Sequence, residues 1–277
     1  MRLFVFGLGY TALELARQLD QSVWEIAGTC RSEEKKAELE REGFTAHVFD
    51  GSAPLDPTVL EGTTHILDSI PPKEGDPALA YHASDIAALS SVEWVGYLST
   101  TGVYGDTGGD WVDETSPVQP STDRGTRRAE AEDGWMALWH THGTPVHIFR
   151  LPGIYGPGRN QLETVKDGKA RRIVKEGQVF SRIHVEDLAT ALRASMGQPS
   201  PGEIFNICDD EPAPPQDVIA YAAKLLGVEP PPEVPFEDAE MSEMARSFYS
   251  ESKRVQNRKM KEMLGVELAY PTYREGL

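Results

Sequence analysis

Apolar runs alternate with amphipathic segments along most of the chain. The first run, residues 2–6, is apolar on both faces and breaks at Gly7-Leu8-Gly9. After this break, apolar residues recur at helical spacing as far as Leu19. The N-terminal segment therefore predicts a strand, a tight turn and a helix.

The same alternation continues downstream. The pattern predicts helices over 33–41, 78–89, 127–140 and 183–194. It predicts strands over 24–29, 45–49, 65–70, 94–98, 146–151 and 203–207. Strands that are apolar on both faces are typical of a parallel sheet covered by helices on each side. The sequence therefore predicts an α/β fold with a doubly wound, parallel, Rossmann-type sheet.

The pattern changes after Pro152, where glycines and prolines mark an irregular segment, and two further proline-rich stretches follow. These breaks predict that the chain leaves the sheet twice. We expect a core that contains the sheet and a small, discontinuous C-terminal cap domain, with the core formed by 1–152 and 183–208 and the cap by 153–182 and 209–277. Residues near 239–264 are interpreted as one charged helix of the cap.

Composition excludes several classes of function. The 277 residues contain 44 Asp and Glu against 27 Lys and Arg, a formal charge of −17, so a nucleic-acid backbone would be repelled. The apolar runs fall short of the roughly 18 residues that a membrane-spanning helix needs, and no secretory leader pattern opens the chain. Cys30 and Cys208 lack metal-ligand spacing, which predicts free thiols in a cytoplasmic protein and no metal site.

The break after the first strand fits the pattern G-x-G-x-x-A. In this pattern Gly7 permits the tight turn, Gly9 lets a diphosphate approach the backbone, and Ala12 lets the helix pack on the strand. Free amides at the start of the helix, from Tyr10 and Thr11, would face the phosphates. The pattern predicts a dinucleotide site, and a plain strand-to-helix turn is the alternative.

The end of the second strand bears on which dinucleotide is bound. No carboxylate stands there to hold the ribose hydroxyls of NAD, whereas Arg31, helped by Ser32, could clamp the 2′-phosphate of NADP. NADP is therefore favoured over NAD, and a solvated arginine is the alternative. Asp50 is a candidate for the adenine edge, and Ser69 and Pro71 are candidates for the floor beneath the ribose, although all three also suit ordinary turns.

Four separated motifs carry a resemblance to a known family. Read in chain order, they are Ser99–Gly105 (STTGVYG), Arg150–Gly158 (RLPGIYGPG), Arg182–Ala189 (RIHVEDLA) and Phe205–Ile207 (FNI). Together with the glycine turn, they resemble the extended short-chain dehydrogenase/reductase superfamily, also called the NAD-dependent epimerase/dehydratase family. The resemblance covers most of the chain and implies the Rossmann fold, although the motifs say less about any particular reaction.

The resemblance also implies a catalytic set, which this chain keeps only in part. The family uses a Ser or Thr to hold the substrate oxygen, and Thr100 matches it. Its Tyr acid/base and the Lys four residues later are replaced by Arg124 and Arg128. A guanidinium is not deprotonated in proteins, so Arg124 cannot transfer a proton as a phenol does. Tyr104 and Tyr155 are the candidate replacements, with packed aromatics as the alternative, and the chain is interpreted as an atypical member.

Charged residues near this set suggest contacts with ligands. Arg128 inherits the lysine position and could bind the cofactor ribose or an anionic substrate, or could pair with nearby acids on the helix surface. By resemblance, Tyr155, Arg159 and Arg182 lie at positions on the cap side that contact substrate.

Two functions follow as hypotheses. The first is an NADP(H)-dependent oxidoreductase or epimerase that acts on a small metabolite, with an anion as one option. The second is a non-catalytic NADP(H)-binding sensor or interaction protein, for which loss of the Tyr and Lys is expected. Related proteins often form dimers, so a homodimer is a candidate assembly.

Overall fold

The computed structural model describes all 277 residues and contains thirteen strands. The strands are β1 (Arg2–Phe6), β2 (Glu25–Cys30), β3 (Thr45–Val48), β4 (His65–Asp68), β5 (Trp94–Thr100), β6 (Trp111–Val112), β7 (Val146–Leu151), β8 (Gly153–Tyr155), β9 (Arg172–Val174), β10 (Arg182–His184), β11 (Ile204–Asn206), β12 (Glu233–Pro235) and β13 (Arg254–Val255).

Ten α-helices connect and cover these strands. They are α1 (Tyr10–Gln18), α2 (Glu33–Arg41), α3 (Pro77–Ala88), α4 (Asp123–His142), α5 (Gln161–Lys166), α6 (Val185–Gly197), α7 (Pro215–Leu225), α8 (Glu243–Phe248), α9 (Arg258–Leu264) and α10 (Tyr273–Gly276). None of them is long and apolar enough to cross a lipid bilayer.

Seven strands form one parallel sheet in the order β11-β7-β5-β4-β1-β2-β3. Neighbouring residues of β1 enter different cores: Leu3 and Val5 pack with α1 and α6, whereas Phe4 and Phe6 pack with α3 and α4. The sheet is therefore covered on both faces, and the predicted doubly wound fold is confirmed. The strand order reverses between β1 and β4, and in such sheets a crevice opens beyond the carboxyl ends of the strands at this point.

Three further pairs of short strands form outside this sheet. Strand β8 pairs with β10, β9 with β12, and β6 with β13, all in parallel. The division of the chain into core and cap stays a prediction. The packing of the structure differs from that division at one place. Met260, Leu264 and Val266, which it assigns to the cap, are buried in the same apolar cluster as α1 and α6.

The single helix predicted near 239–264 is wrong. Helix α8 ends at Phe248, the chain then extends through β13, and α9 begins only at Arg258. In the extended part, the Ser252 amide donates to Asp106 Oδ1 and the Arg254 amide donates to the Asp110 carbonyl. These hydrogen bonds to a distant loop override the local helical preference of a charged segment.

A buried ion pair joins α4 to the sheet beneath the crevice. The Arg150 guanidinium binds the Glu132 carboxylate, with Nη2 at 2.7 Å from Oε2 and Nε at 3.1 Å from Oε1. Ser99 donates to the same carboxylate. Arg150 also donates to the Tyr104 hydroxyl, which in turn donates to Asn206 Oδ1. The network fixes α4 against β5, β7 and β11, and so positions the first turn of α4 at the crevice.

Candidate functional site

A cavity of about 770 Å³ lies at the crevice, between the carboxyl ends of the strands and the smaller elements above them. The glycine turn after β1, Ser69 and Pro71 after β4, and Thr100 at the end of β5 contribute to its wall. The start of α4 and segments 151–161, 179–182 and 245–255 complete it.

The turn after β1 is held in an unusual conformation by its neighbours. Gly7 has a φ of +89°, and a Cβ there would lie 2.9 Å from Ser69 Oγ, so a larger residue would be both strained and crowded. Its amide donates to Thr29 Oγ1 at 2.8 Å, and its carbonyl accepts from Ser69 Oγ at 2.6 Å. Gly7 is thus required by the protein itself.

Unlike Gly7, Gly9 is not required by its backbone conformation or by close contacts within the protein. Its φ is −109°, and a Cβ there would have no heavy atom closer than the Gly7 carbonyl, at 3.9 Å. It opens α1 without any side-chain cap, so the first amides of the helix face the cavity with no side chain to receive them. Space that a methyl group would fill, in front of free amides at a helix start, fits a bound diphosphate. Ala12 is fully buried and packs in the core, as predicted for the small residue of the motif.

Tyr10 ties this turn to the segment after β8. Its hydroxyl donates to the Pro157 carbonyl at 2.9 Å, and the Arg159 guanidinium lies 5.8 Å from the centre of its ring. Thr11 beside it also lines the cavity. The Arg159 guanidinium makes no hydrogen bond or ion pair with the protein, which leaves its charge beside the glycine turn.

The residues predicted for the far end of the dinucleotide lie outside the cavity wall. Arg31 is exposed at the end of β2 and has no ion-pair partner, and Ser32 caps α2 by accepting the Lys35 amide. Asp50 accepts hydrogen bonds from the Ser52 hydroxyl and amide, which lower the pKa of this carboxyl. Arg31 is therefore free to bind a phosphate, whereas Asp50 is already engaged in its own turn.

The structure brings Thr100, Arg124 and Arg128 to one part of the cavity. A Cβ on Gly125 would lie 2.8 Å from the Gly102 carbonyl, so the absence of a side chain lets α4 begin against the end of β5. Thr100 Oγ1 accepts the Gly102 amide at 3.1 Å, which leaves its proton free to donate. Arg128 donates to the Leu98 carbonyl and to the Tyr97 hydroxyl.

Arg124 reaches across the cavity to the cap. Its guanidinium lies 4.4 Å from the centre of the Phe248 ring, and it makes no hydrogen bond with the protein. Burial in the cleft and the nearby charge of Arg128 lower the pKa of Arg124, but a guanidinium remains charged at any ordinary pH.

The two tyrosines proposed as replacement acids are both engaged. Tyr104 does not line the cavity, because its hydroxyl is buried between Arg150 and Asn206. Tyr155 lines the cavity but is only 3% exposed, and its hydroxyl points to the Thr272 carbonyl at 3.4 Å. Burial raises the pKa of both phenols, that of Tyr104 to about 12.

Arg182 lines the cap side of the cavity and is only 6% exposed. It donates to the Phe180 and Ala213 carbonyls at 2.8 and 3.2 Å, and no carboxylate forms an ion pair with it. Burial lowers the pKa of Arg182.

Comparisons with known proteins bear on this geometry. The family model described as the NAD dependent epimerase/dehydratase family matches residues 78–208. Residues 78–208 of this chain are therefore similar to that family.

Three relatives show the range of similarity. A solved structure of a functionally unknown conserved protein from Silicibacter pomeroyi is 51% identical, with a TM-score of 0.91, and the match covers 99% of this chain and 96% of that one. Protein YeeZ of Escherichia coli K12 is 29% identical over 240 residues, which are 82% of this chain and 84% of YeeZ. UDP-glucuronic acid 4-epimerase of Bacillus cereus, solved with NAD, has a TM-score of 0.78 at 17% identity, covering 100% and 96% of the two chains. This last similarity shows the fold alone.

A buried acid pair behind the cavity was not identified from the sequence. Asp68 is fully buried at the end of β4; its Oδ1 accepts the Ile70 amide, and its Oδ2 has no donor. Burial raises the pKa of Asp68 well above its usual range, and the nearby Asp76 carboxyl raises it further. Asp76 accepts from the Leu79 amide and from Trp135 Nε1, so we assign the shared proton to Asp68. The signal that the sequence offered for this pair was an acidic residue at the end of a buried strand.

The cap side of the wall was missed as well. Phe180, Phe248, Tyr249, Glu251 and Lys253 all line the cavity. Lys253 and Glu251 form an ion pair at 2.6 Å, with about a tenth of each side chain exposed. No sequence pattern marked these residues, because they lie more than a hundred positions from the core residues that they face.

Replacing Asp68 by Asn tests the acid pair through stability. A raised folded-state pKa gives a contribution that is complete below the unfolded pKa and is lost as pH rises toward the folded pKa, by about 1.4 kcal/mol per pH unit. We expect Asp68→Asn to remove this slope, which begins as pH rises above the ordinary aspartate pKa of about 4, in urea unfolding. The exposed Asp133→Asn should retain it. Equal slopes in all three proteins would refute the pair.

Replacing Gly9 by Ala tests the dinucleotide site separately from the fold. A methyl group there makes only an ordinary contact with the Gly7 carbonyl at 3.9 Å, so the free energy of unfolding should change by less than about 1 kcal/mol. Dinucleotide affinity, measured by calorimetry, should fall at least about tenfold, because the methyl group occupies the phosphate space. Gly7→Ala is the contrasting variant, since its positive φ and close neighbours predict clear destabilisation. Unchanged dinucleotide binding by Gly9→Ala would contradict this site.

Proposed function

We propose that the chain binds NADP(H) across the crevice, with the diphosphate on the glycine turn and the adenosine end toward Arg31. The support is the empty space at Gly9 with free helix amides behind it. Arg31 supports the 2′-phosphate because it stands exposed at the end of β2 and is unpaired, with no carboxylate at the tip of that strand. Arg128 would hold the nicotinamide ribose.

We propose further that the protein is an oxidoreductase or epimerase acting on a small metabolite held between core and cap. The observation that carries this proposal is that Thr100 and Arg128 share one cavity with the glycine turn. When bound, the cofactor supplies a hydride acceptor or donor at its nicotinamide. The Thr100 hydroxyl, whose proton is free, orients a substrate oxygen.

The group that moves the proton differs from that of the family in this proposal. Arg124 stands where the phenol is expected and cannot supply it. Three phenols line the cavity, and the hydroxyls of Tyr10 and Tyr155 are engaged by carbonyls. The Tyr249 hydroxyl has no hydrogen-bond partner; burial raises the pKa of this phenol, and the Arg182 charge opposes that rise. Tyr249 is therefore the side chain best placed to act as an acid.

A non-catalytic NADP(H) sensor is the second candidate. The contact between Arg124 and Phe248 favours a sensor. This contact joins core and cap across the cavity and supplies no side chain that could act as a general acid. The two functions differ in one measurement. Net oxidation of NADPH, or conversion of a bound metabolite to an isomer without net change in the cofactor, identifies an enzyme, whereas binding of both without any conversion identifies a sensor.

Charge reversal at Arg31 tests the choice of cofactor. A charged hydrogen bond to phosphate contributes about 1.5–3 kcal/mol, so Arg31→Glu should weaken NADPH binding by roughly 10- to 100-fold. NADH, which has no 2′-phosphate, should be affected much less. Arg41→Glu, the same charge change at the other end of α2, is the control and should leave both affinities near wild type. Equal losses for NADPH and NADH would remove the 2′-phosphate role.

A further inference from the structure

We infer that the cavity receives a small organic anion with an apolar or planar body, its charge bound by Arg124 and Arg182 and its body enclosed by aromatic rings of the cap. The inference rests on the proposed function, because it names the substrate class for the same cavity.

The charge on the cavity wall is opposite to that of the whole chain. Acidic residues outnumber basic ones by 44 to 27 overall, yet the wall carries five cationic side chains and one acid, Glu251. Glu251 is paired with Lys253, which leaves the arginines without an ion pair. Four unpaired guanidiniums on one wall of an acidic protein indicate an anionic ligand. The five cations are Arg124, Arg128, Arg159, Arg182 and Lys253.

The cofactor accounts for only part of this charge. Arg159 lies over Tyr10 at the glycine turn, where the diphosphate belongs. Arg128 is held by the Leu98 carbonyl and the Tyr97 hydroxyl at the end of β5, beside the nicotinamide ribose. Arg124 and Arg182 lie toward the cap instead. The contacts proposed for the cofactor therefore leave these two positive charges without an anionic partner.

Arg124 is oriented for anion binding by its aromatic partner. Phe248 covers one side of the guanidinium, and no protein group accepts a hydrogen bond from it. Contact with a ring fixes the guanidinium by a cation–π interaction and leaves its N–H groups available. A carboxylate or phosphate can then be bound in bidentate fashion.

Arg182 provides an independent argument, because a buried and unpaired charge is costly. Its Nη atoms donate to two carbonyls, and its Nε has no partner in the protein. The acid that acts on it most strongly is Asp209, which forms no ion pair with it. Burial raises the pKa of Asp209 to about 8, and the Arg182 charge opposes that rise. Because no carboxylate forms an ion pair with Arg182, its guanidinium is available to an anionic ligand.

The aromatic rings and the size of the cavity define the rest of the ligand. Phe180 and Tyr249 pack edge to face at 5.5 Å, and both line the wall together with Phe248. About 770 Å³ lies within the range that typically holds a single drug-sized ligand. Because the nicotinamide end of the cofactor would occupy part of this space, the remainder suits a small anion rather than a second nucleotide.

The test compares charged and neutral probes of the same shape. Benzoate and phenyl phosphate are titrated into the full-length protein, with and without saturating NADPH, and benzamide serves as the neutral probe. We expect at least one anion to bind and benzamide to bind at least tenfold more weakly. Arg124→Gln should weaken anion binding at least tenfold, and Arg193→Gln, an exposed arginine on α6, should leave it unchanged.

The outcomes separate this inference from the proposed function. Equal binding of benzoate and benzamide, no anion binding at millimolar concentration, or full binding by a folded Arg124→Gln would overturn the anion site while NADPH binding stands. Anion binding in a protein that does not bind NADPH would overturn the cofactor assignment alone. A preference for benzoate over phenyl phosphate, or the reverse, identifies the anionic group.

Discussion

The structure depends on the sharp bend between β1 and α1, at the place where the strand order of the sheet reverses. Packing of Ser69 against Gly7 leaves room only for a glycine with positive φ, and the hydrogen bond between them fixes the bend to β4. The bend directs the uncapped start of α1 into the crevice. The position of the glycine turn on the cavity wall follows from this local constraint.

Electrostatics distinguish this chain from the family that its sequence resembles. Arg124 stands where that resemblance implies a tyrosine acid, and a guanidinium is permanently charged and cannot transfer the proton, whereas Arg128 keeps the positive charge of the implied lysine. A basic cavity in a strongly acidic protein concentrates small anions while the outer surface repels larger polyanions. The exchange thus accounts for the missing acid and for two of the four unpaired arginines on the cavity wall.

Much of the core could be predicted because its signals are local. The charged helix at Glu33–Arg41 and the strand at Val146–Leu151 have the predicted bounds, since periodicity and apolar runs define them. The break of the predicted helix near 239–264 depends on hydrogen bonds to Asp106 and Asp110, which no local pattern reveals.

The site was predictable to a similar extent. The glycine turn, Thr100 and Arg128 occupy one cavity because motif spacing reflects sheet topology. The burial of the Tyr104 hydroxyl, the contact of Arg124 with Phe248 and the Asp68–Asp76 pair depend on side chains that only folding brings together. From the sequence alone, it is easier to predict which residues line the crevice. It is harder to predict which of their polar atoms remain without a hydrogen-bond partner.

The most direct measurement is a crystal structure of the protein grown with NADPH. The account predicts the diphosphate on the amides at the start of α1, over Gly9, with the 2′-phosphate beside Arg31 and the nicotinamide between Thr100 and Arg128. A glycine turn without nucleotide at saturating concentration, or a nucleotide bound elsewhere on the molecule, would contradict it.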